Sequence, residues 1–265
     1  MEVEIPLYQL DAFTGSLFAG NPAAVCVLRE WPEDALLQAV AAENNLSETA
    51  FCVRESDAWR LRWFTPLCEV DLCGHATLAA ATVVFEERPD VREIGFMTRS
   101  GRIEAWRDGP GVAIDLPASP PDGSPVDPRL REVLDEQPTE AIGAASPVYV
   151  YSDESIVKGL RPRFEQLRNC GGRLIVTAPG RDCDFVSRFF APGVGIDEDP
   201  VTGSAHCILT PFWAARLGRA RLQARQLSAR GGEVDCELRA DRVILRGEAV
   251  CYLRGSIRIP WPRVT

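Results

Sequence analysis

The chain has 265 residues, 46% hydrophobic and 25% charged, a balance that places it with folded globular proteins and away from disordered ones. Its net charge of −9 argues against a nucleic acid partner, which wants a basic face, and equally against an anionic membrane surface. The length allows one large domain or two of ordinary size.

The opening residues Met1-Glu2-Val3-Glu4-Ile5-Pro6 lack the basic start and apolar core of a signal peptide, and the longest apolar run, 76–85, is too short to cross a bilayer. Nine cysteines, an odd number without repeated spacing, speak against a disulfide framework. No C-x-x-C pair supports structural zinc. The expectation is a reduced, cytoplasmic protein without metal.

Strand-like segments dominate the first half. Residues 2–13 open the chain, 23–28 follow the turn Gly20-Asn21-Pro22, and 49–53 come next. Trp59-Arg60-Leu61-Arg62-Trp63-Phe64 alternates as a half-buried strand should, and 94–106 reads as a hairpin turning at Ser100-Gly101. Between them, 32–44 carries proline and acids in its first turn and apolar residues at helical spacing. Residues 74–85 are almost wholly apolar, which predicts a helix buried on all sides.

Five prolines between Pro117 and Pro128 forbid regular structure and mark a boundary. The same vocabulary then returns: strands over 147–151, 174–178 and 183–190, a short helix over 162–169, and a longer apolar helix over 204–217. Alternating strands follow Arg221, with turns at Gly231-Gly232, Ala240-Asp241 and Gly247-Glu248. The pattern predicts two similar α+β halves, 1–118 and 119–254, each a sheet curled around one buried helix, with the active site in the cleft between them. Periodicity alone does not separate this from two open sandwiches.

The two histidines of the chain sit in small-residue turns at helix starts: Asp71-Leu72-Cys73-Gly74-His75-Ala76-Thr77 and Asp199-Pro200-Val201-Thr202-Gly203-Ser204-Ala205-His206. Free N–H groups at such a start, favoured by the helix dipole, suit a carboxylate. His75 could polarise a carbonyl or relay a proton, or could be a neutral ring satisfying backbone groups. His206, a turn into its helix, reads as structural. Glu48, where a helix has ended and an apolar strand begins, is either a solvated loop glutamate or a carboxyl able to take and give a proton. Asp199 is a capping residue or a partner for His75 or a substrate amine. Cys73 is a small buried residue or a thiol base at a helix start. Asn21 serves its turn or presents its amide to a ligand. No nucleotide-binding or serine-hydrolase motif occurs.

Several blocks, in order, resemble the phenazine-biosynthesis PhzF-like family. They are Asp11-Ala12-Phe13-Thr14 with Gly20-Asn21-Pro22-Ala23-Ala24-Val25, Asn45-Leu46-Ser47-Glu48-Thr49-Ala50-Phe51, Arg62-Trp63-Phe64-Thr65-Pro66, and Glu69 through Thr77. In the second half come Asp184 through Gly193, Glu198 through His206, and Gln226-Leu227-Ser228-Ala229-Arg230-Gly231-Gly232. The segment 119–170 carries little of the likeness.

The resemblance implies a diaminopimelate epimerase-like α+β fold with two pseudo-symmetric domains, each a curled, mostly antiparallel sheet around a central helix. Residues 255–265 would return to the first half. It implies a cofactor-independent isomerase that moves a proton between carbons of a cyclic amino acid (in the family's isomerase, a dihydro-hydroxyanthranilate). Glu48 would be the acid and base. His75 and Asp199 would surround the substrate, Gly74, Gly203 and Ser204 would hold its carboxylate, and Asn21 and Cys73 would line the site. A homodimer is implied as well. Epimerase relatives use two cysteines, and Thr202 stands where the second would be, which disfavours a two-thiol mechanism. Cys73 leaves open a one-cysteine racemase, epimerase or dehydratase, and a non-catalytic binding protein on the same fold is a third alternative.

Overall fold

The computed structural model describes residues 2–55 and 58–261. The expected C-terminal return therefore has its last positions, 262–265, outside the described residues. The chain divides into two compact units. One takes the residues up to Asp115 together with those from Arg246 onward, and the other takes Leu116–Leu245.

In the first unit, β1 (Glu2–Ala12) lies between two antiparallel neighbours, the C-terminal strand Ala249–Pro260 and β2 (Asn21–Leu28). β2 pairs in parallel with β3 (Glu48–Glu55), and the helix α1 (Asp34–Asn44) makes the crossover that a parallel pair needs. β3 pairs antiparallel with β4 (Ala58–Phe64). The far edge of β4 is shared by the short β5 (Glu69–Val70), antiparallel, and β6 (Glu93–Thr98), parallel. The crossover from β4 to β6 holds α2 (Gly74–Glu87), and β7 (Gly101–Asp108) and β8 (Gly111–Pro117) complete an antiparallel meander. α2 touches β1, β2, β3 and β7, so the sheet curls around it. Its run from Gly74 to Ala81 and from Val83 to Phe85 is buried, because it is apolar or small on every face. α1 covers the outer side through Leu37, Val40 and Ala41, which pack with Phe51, Val53 and Phe64.

The second unit repeats this plan. β9 (Glu140–Ile142) pairs antiparallel with β10 (Val148–Val150), and β10 in parallel with β11 (Leu174–Pro179). The crossover between those two carries α3 (Glu154–Gly159) and α4 (Phe164–Arg168). β11 pairs antiparallel with β12 (Phe185–Ala191), whose far edge is again shared by an antiparallel β13 (Ile196–Asp199) and a parallel β14 (Arg221–Gln226). The long helix α5 (Gly203–Leu217) fills that crossover, and β15 (Gly232–Arg239) follows β14 as an antiparallel partner. α3 was not visible in the sequence. It has six residues, too few to show a period, and is set by Asp153, whose carboxylate accepts the Ser155 N–H at 2.7 Å.

α5 contains Pro211 in its interior, which removes the N–H that would bond the carbonyl four residues earlier, that of Cys207. That carbonyl instead accepts the N–H of Ser119 at 3.0 Å. The proline-rich segment is thus tied to the helix by the vacancy that a proline makes.

Leu78 sits at the middle of α2 with no exposed surface. Leu78→Ala is expected to lower the free energy of unfolding by about 2–5 kcal/mol, read as a fall in the urea midpoint at unchanged slope.

Candidate active site

Three chain segments begin at one place in the first unit. Asn45, in the left-handed conformation at φ 49, closes α1 and turns the chain so that Glu48 opens β3. Phe51 and Val53 face α1, so alternation puts Glu48, with Ala50 and Cys52, on the opposite side, where α2 lies. Asn21 opens β2, after Gly20 at φ 62, where an added Cβ would come within 2.2 Å of the Ala12 carbonyl oxygen. Cys73 is the extended N-cap of α2, and Gly74 and His75 are its first residues.

The imidazole of His75 joins these segments. Asn21 Nδ2 lies 3.1 Å and Cys73 Sγ 3.6 Å from its Nδ1, while Glu48 Oε2 lies 3.0 Å from its Nε2. His75 is buried and the Glu48 side chain is only 13% exposed. Burial works against a charged ring, yet Cys73 and Glu48 together outweigh it and hold the pKa of His75 well above its ordinary value. Burial, reinforced by the Glu48 charge and partly opposed by His75, pushes the Cys73 thiol up to about 11. A neutral ring can accept from the Asn21 amide at Nδ1, whereas a charged ring donates there and calls for the amide oxygen. The two amide orientations match the two charge states.

Glu48, Cys73 and His75 are also the one set of possible metal donors within 4.8 Å of one another among the described residues. The sulfur addresses Nδ1 and the carboxylate addresses Nε2.

In the second unit, Asp199 ends β13 and Thr202 is the extended N-cap of α5. The Thr202 hydroxyl donates to Asp199 Oδ2 in a short hydrogen bond. The buried side chain of Gln226 clamps this turn. Its Nε2 donates to the Asp199 carbonyl at 2.6 Å and to Thr202 Oγ1 at 3.2 Å, and its Oε1 accepts the Thr202 N–H at 2.8 Å. Ser228 Oγ adds a bond to the Pro200 carbonyl at 2.8 Å. Gly203 is buried and Ser204 is exposed. Sequence reasoning placed Gln226 within a matching block but gave it no role, although a polar residue in an alternating strand beside a helix start was the available signal.

Asn21, Glu48, Cys73, Gly74 and His75 thus form one cluster in the first unit, and Asp199, Gly203 and Ser204 one turn in the second. His206 belongs to neither reaction group. Its Nδ1 lies 2.7 Å from the Thr202 carbonyl, the same role that the Thr77 hydroxyl plays for the Cys73 carbonyl. Burial pushes its pKa down to about 4. A folded-state pKa below the unfolded value means that the unfolded chain binds the proton first, so stability is full above about 6.5 and falls as the pH drops toward 4. The loss expected from this group is about 3 kcal/mol. Urea unfolding between pH 7 and pH 4.5 should show a smaller loss in His206→Gln than in the unsubstituted protein.

A family model described as "Phenazine biosynthesis-like protein" matches residues 10–119 and 135–255. An uncharacterized isomerase of Pseudomonas aeruginosa is 48% identical over 263 residues, with 97% of this chain and all of that protein covered. The crystal structure of a PhzF-family phenazine biosynthesis protein from Enterococcus faecalis superposes with a TM-score of 0.91 at 42% identity, covering 96% of this chain and 99% of that one. A hydroxyproline epimerase from Agrobacterium vitis shares the fold at a TM-score of 0.66 and 10% identity, covering 97% of this chain and 93% of its own. Among the described residues no helix is long and apolar enough to cross a membrane.

Proposed function

Since the chain belongs to the phenazine biosynthesis-like family and is an isomerase, we propose that it moves a proton between carbons of a small cyclic amino-carboxylate without a cofactor, Glu48 acting as general acid and base. The observation that carries this reading is the pairing of Glu48 with His75 at 3.0 Å in a buried cluster. Among the described residues, neither Glu48 Oε2 nor His75 Nε2 has a hydrogen-bond partner besides this ion pair. A carboxylate held against an imidazole, largely out of water, is poised to remove a proton from a carbon acid and return it to a neighbouring carbon as the double bond shifts.

Charge that develops on the substrate calls for fixed donors. The first N–H groups of α2 and α5, at Gly74, Gly203 and Ser204, have no acceptor within their helices and are assigned to the substrate carboxylate. Asp199, held by Thr202 and Gln226, is assigned to the substrate amine, and Asn21 and Cys73 to the walls of the site. The alternative of a racemase that starts from the Cys73 thiolate is less well supported, because burial pushes that thiol up to about 11. All nine cysteines are free thiols; a cytoplasmic setting and the homodimer that the resemblance implies belong to the same proposal.

The test is solvent deuterium incorporation into a panel of small cyclic and acyclic amino acids, followed by mass spectrometry. At least one compound should exchange with the unsubstituted protein, and Glu48→Gln should slow that exchange by a factor of about 100 to 10,000. Full exchange in Glu48→Gln would assign the proton to another group.

A further inference from the structure

The second unit holds a pocket of about 400 Å³ that the proposed reaction does not use. Most of its wall comes from residues 123–128 and Arg131, and 120–134 lies outside the stretches that the family model matches. That wall is fixed in place. Asp122 and Gly123 donate their N–H groups to the Gly143 carbonyl at 3.1 and 3.3 Å. An added Cβ at Gly143 would come within 1.8 Å of the Ser124 carbonyl oxygen, so only glycine admits the segment this closely. Asp127 then caps the short 3-10 turn Pro128–Glu132 by accepting the Arg129 N–H at 2.9 Å, and Leu130 anchors that turn in the core.

Two polar groups of this pocket are unpaired among the described residues. Tyr149, at the centre of β10 and only 1% exposed, lines the pocket, and its buried hydroxyl has no hydrogen-bond partner. Tyr151, two residues on in the same core cluster, is satisfied instead, its hydroxyl donating to the Glu136 carbonyl at 3.0 Å. Burial raises the pKa of Tyr149, Arg131 opposes that rise and Asp127 adds to it, so both charged wall residues act on this hydroxyl. The second group is Arg131, which is exposed and whose guanidinium makes no ion pair or hydrogen bond. Asp127 is taken by Arg129, whose Nε donates to both carboxylate oxygens at 3.0 Å and whose Nη2 donates to Oδ2 at 2.6 Å. One uncompensated positive charge therefore stands beside a buried phenol, next to the apolar surfaces of Pro125, Val126 and Ile142. We propose that this pocket is a second binding site, for a small monocarboxylate whose oxygens meet Arg131 and the Tyr149 hydroxyl and whose compact apolar body covers Pro125, Val126 and Ile142. The planar guanidinium fits a carboxylate with two parallel bonds, and the phenol donates a third. A dianion such as phosphate fits less well, because Asp127 repels the charge that one arginine leaves over. The volume is at the small end for ligand pockets, which calls for a compact body. The site stands independently of the reading of Glu48 as acid and base.

The probes are isobutyrate, cyclohexanecarboxylate and benzoate, with their primary amides and inorganic phosphate as comparisons. Each is titrated by ligand-observed NMR against the unsubstituted protein, Arg131→Gln and Tyr149→Phe. At least one carboxylate should bind with a Kd of about 1 mM or tighter, and its amide about tenfold more weakly. Each substitution should weaken that carboxylate about tenfold. Tyr149→Phe keeps the ring and removes a hydroxyl that bonds nothing in the chain, so its urea midpoint without ligand should be no lower than that of the unsubstituted protein. A loss of affinity in that variant then reports the missing contact and not a damaged fold. Unchanged affinity in either variant would place the carboxylate elsewhere, the starts of α2 and α5 included, and would overturn the proposal. Failure of all three carboxylates to bind would overturn it too, as would tighter binding of phosphate.

Discussion

The first unit is organised around one buried imidazole with both nitrogens engaged. α2 is apolar on every face, so the sheet can close around it only if polar groups are confined to its ends. His75 is at the start, and a polar ring that deep must find partners or cost stability. The partners come from three places: the N-cap sulfur of Cys73, the amide of Asn21 at the start of β2, and the carboxylate of Glu48 at the start of β3. β2 and β3 run parallel, with Ala23 opposite Glu48, so their first residues lie at the same end of the sheet. The fold thereby delivers three separate chain segments to one ring.

Much of this was legible in the sequence because the signals are local. The turn residues before each long helix, the unbroken apolar run of α2 and the alternating strands each follow from a few neighbouring residues. The repeat was visible as a vocabulary. Its topological form, with β4 and β12 each sharing an edge between one antiparallel and one parallel neighbour, depends on pairings distant in sequence. The role of Glu48 was not readable from its position in the chain, since nothing local says which side of β3 faces α2. The family likeness singled the residue out, and burial of Phe51 and Val53 against α1 gives the physical reason for its direction. Gln226 stayed without a role because its partners, Thr202 and Asp199, lie 24 and 27 residues away. The bond from Ser119 to Cys207 was hidden in the same way, though Pro211 marked the carbonyl that would need a new donor.

The two long helices begin alike and have been furnished differently. In each, the N-cap carbonyl takes a second bond from the residue four positions on, a hydroxyl in Thr77 and an imidazole in His206. The cap itself is Cys73 in one and Thr202 in the other, and the next residue but one is His75 in one and Ser204 in the other. One histidine therefore sits at the helix start among acidic groups, with its pKa raised, and the other sits two positions deeper beside the Phe185 ring, with its pKa lowered to about 4. A single residue type in related turns meets opposite electrostatics because of a shift of two positions along a helix. The first arrangement engages both ring nitrogens with side chains. The second fixes backbone.

This difference bears on why the first unit retains its buried polar cluster. Hydrogen-bonded pairs in a low-dielectric interior contribute little net stability once desolvation is counted, and apolar replacements of like volume often do as well. Cys73, His75 and Glu48 surround the start of the best-packed helix of the unit, where apolar side chains would seal the curled sheet at smaller cost. A thiol kept protonated by burial and by its anionic neighbour, and a ring held between two acids, are arrangements that folding does not require. They suit the proposed proton transfer to and from carbon, which calls for ionisable groups in contact and shielded from water. The weakness of the cluster as a stabilising element is itself an argument for its chemistry.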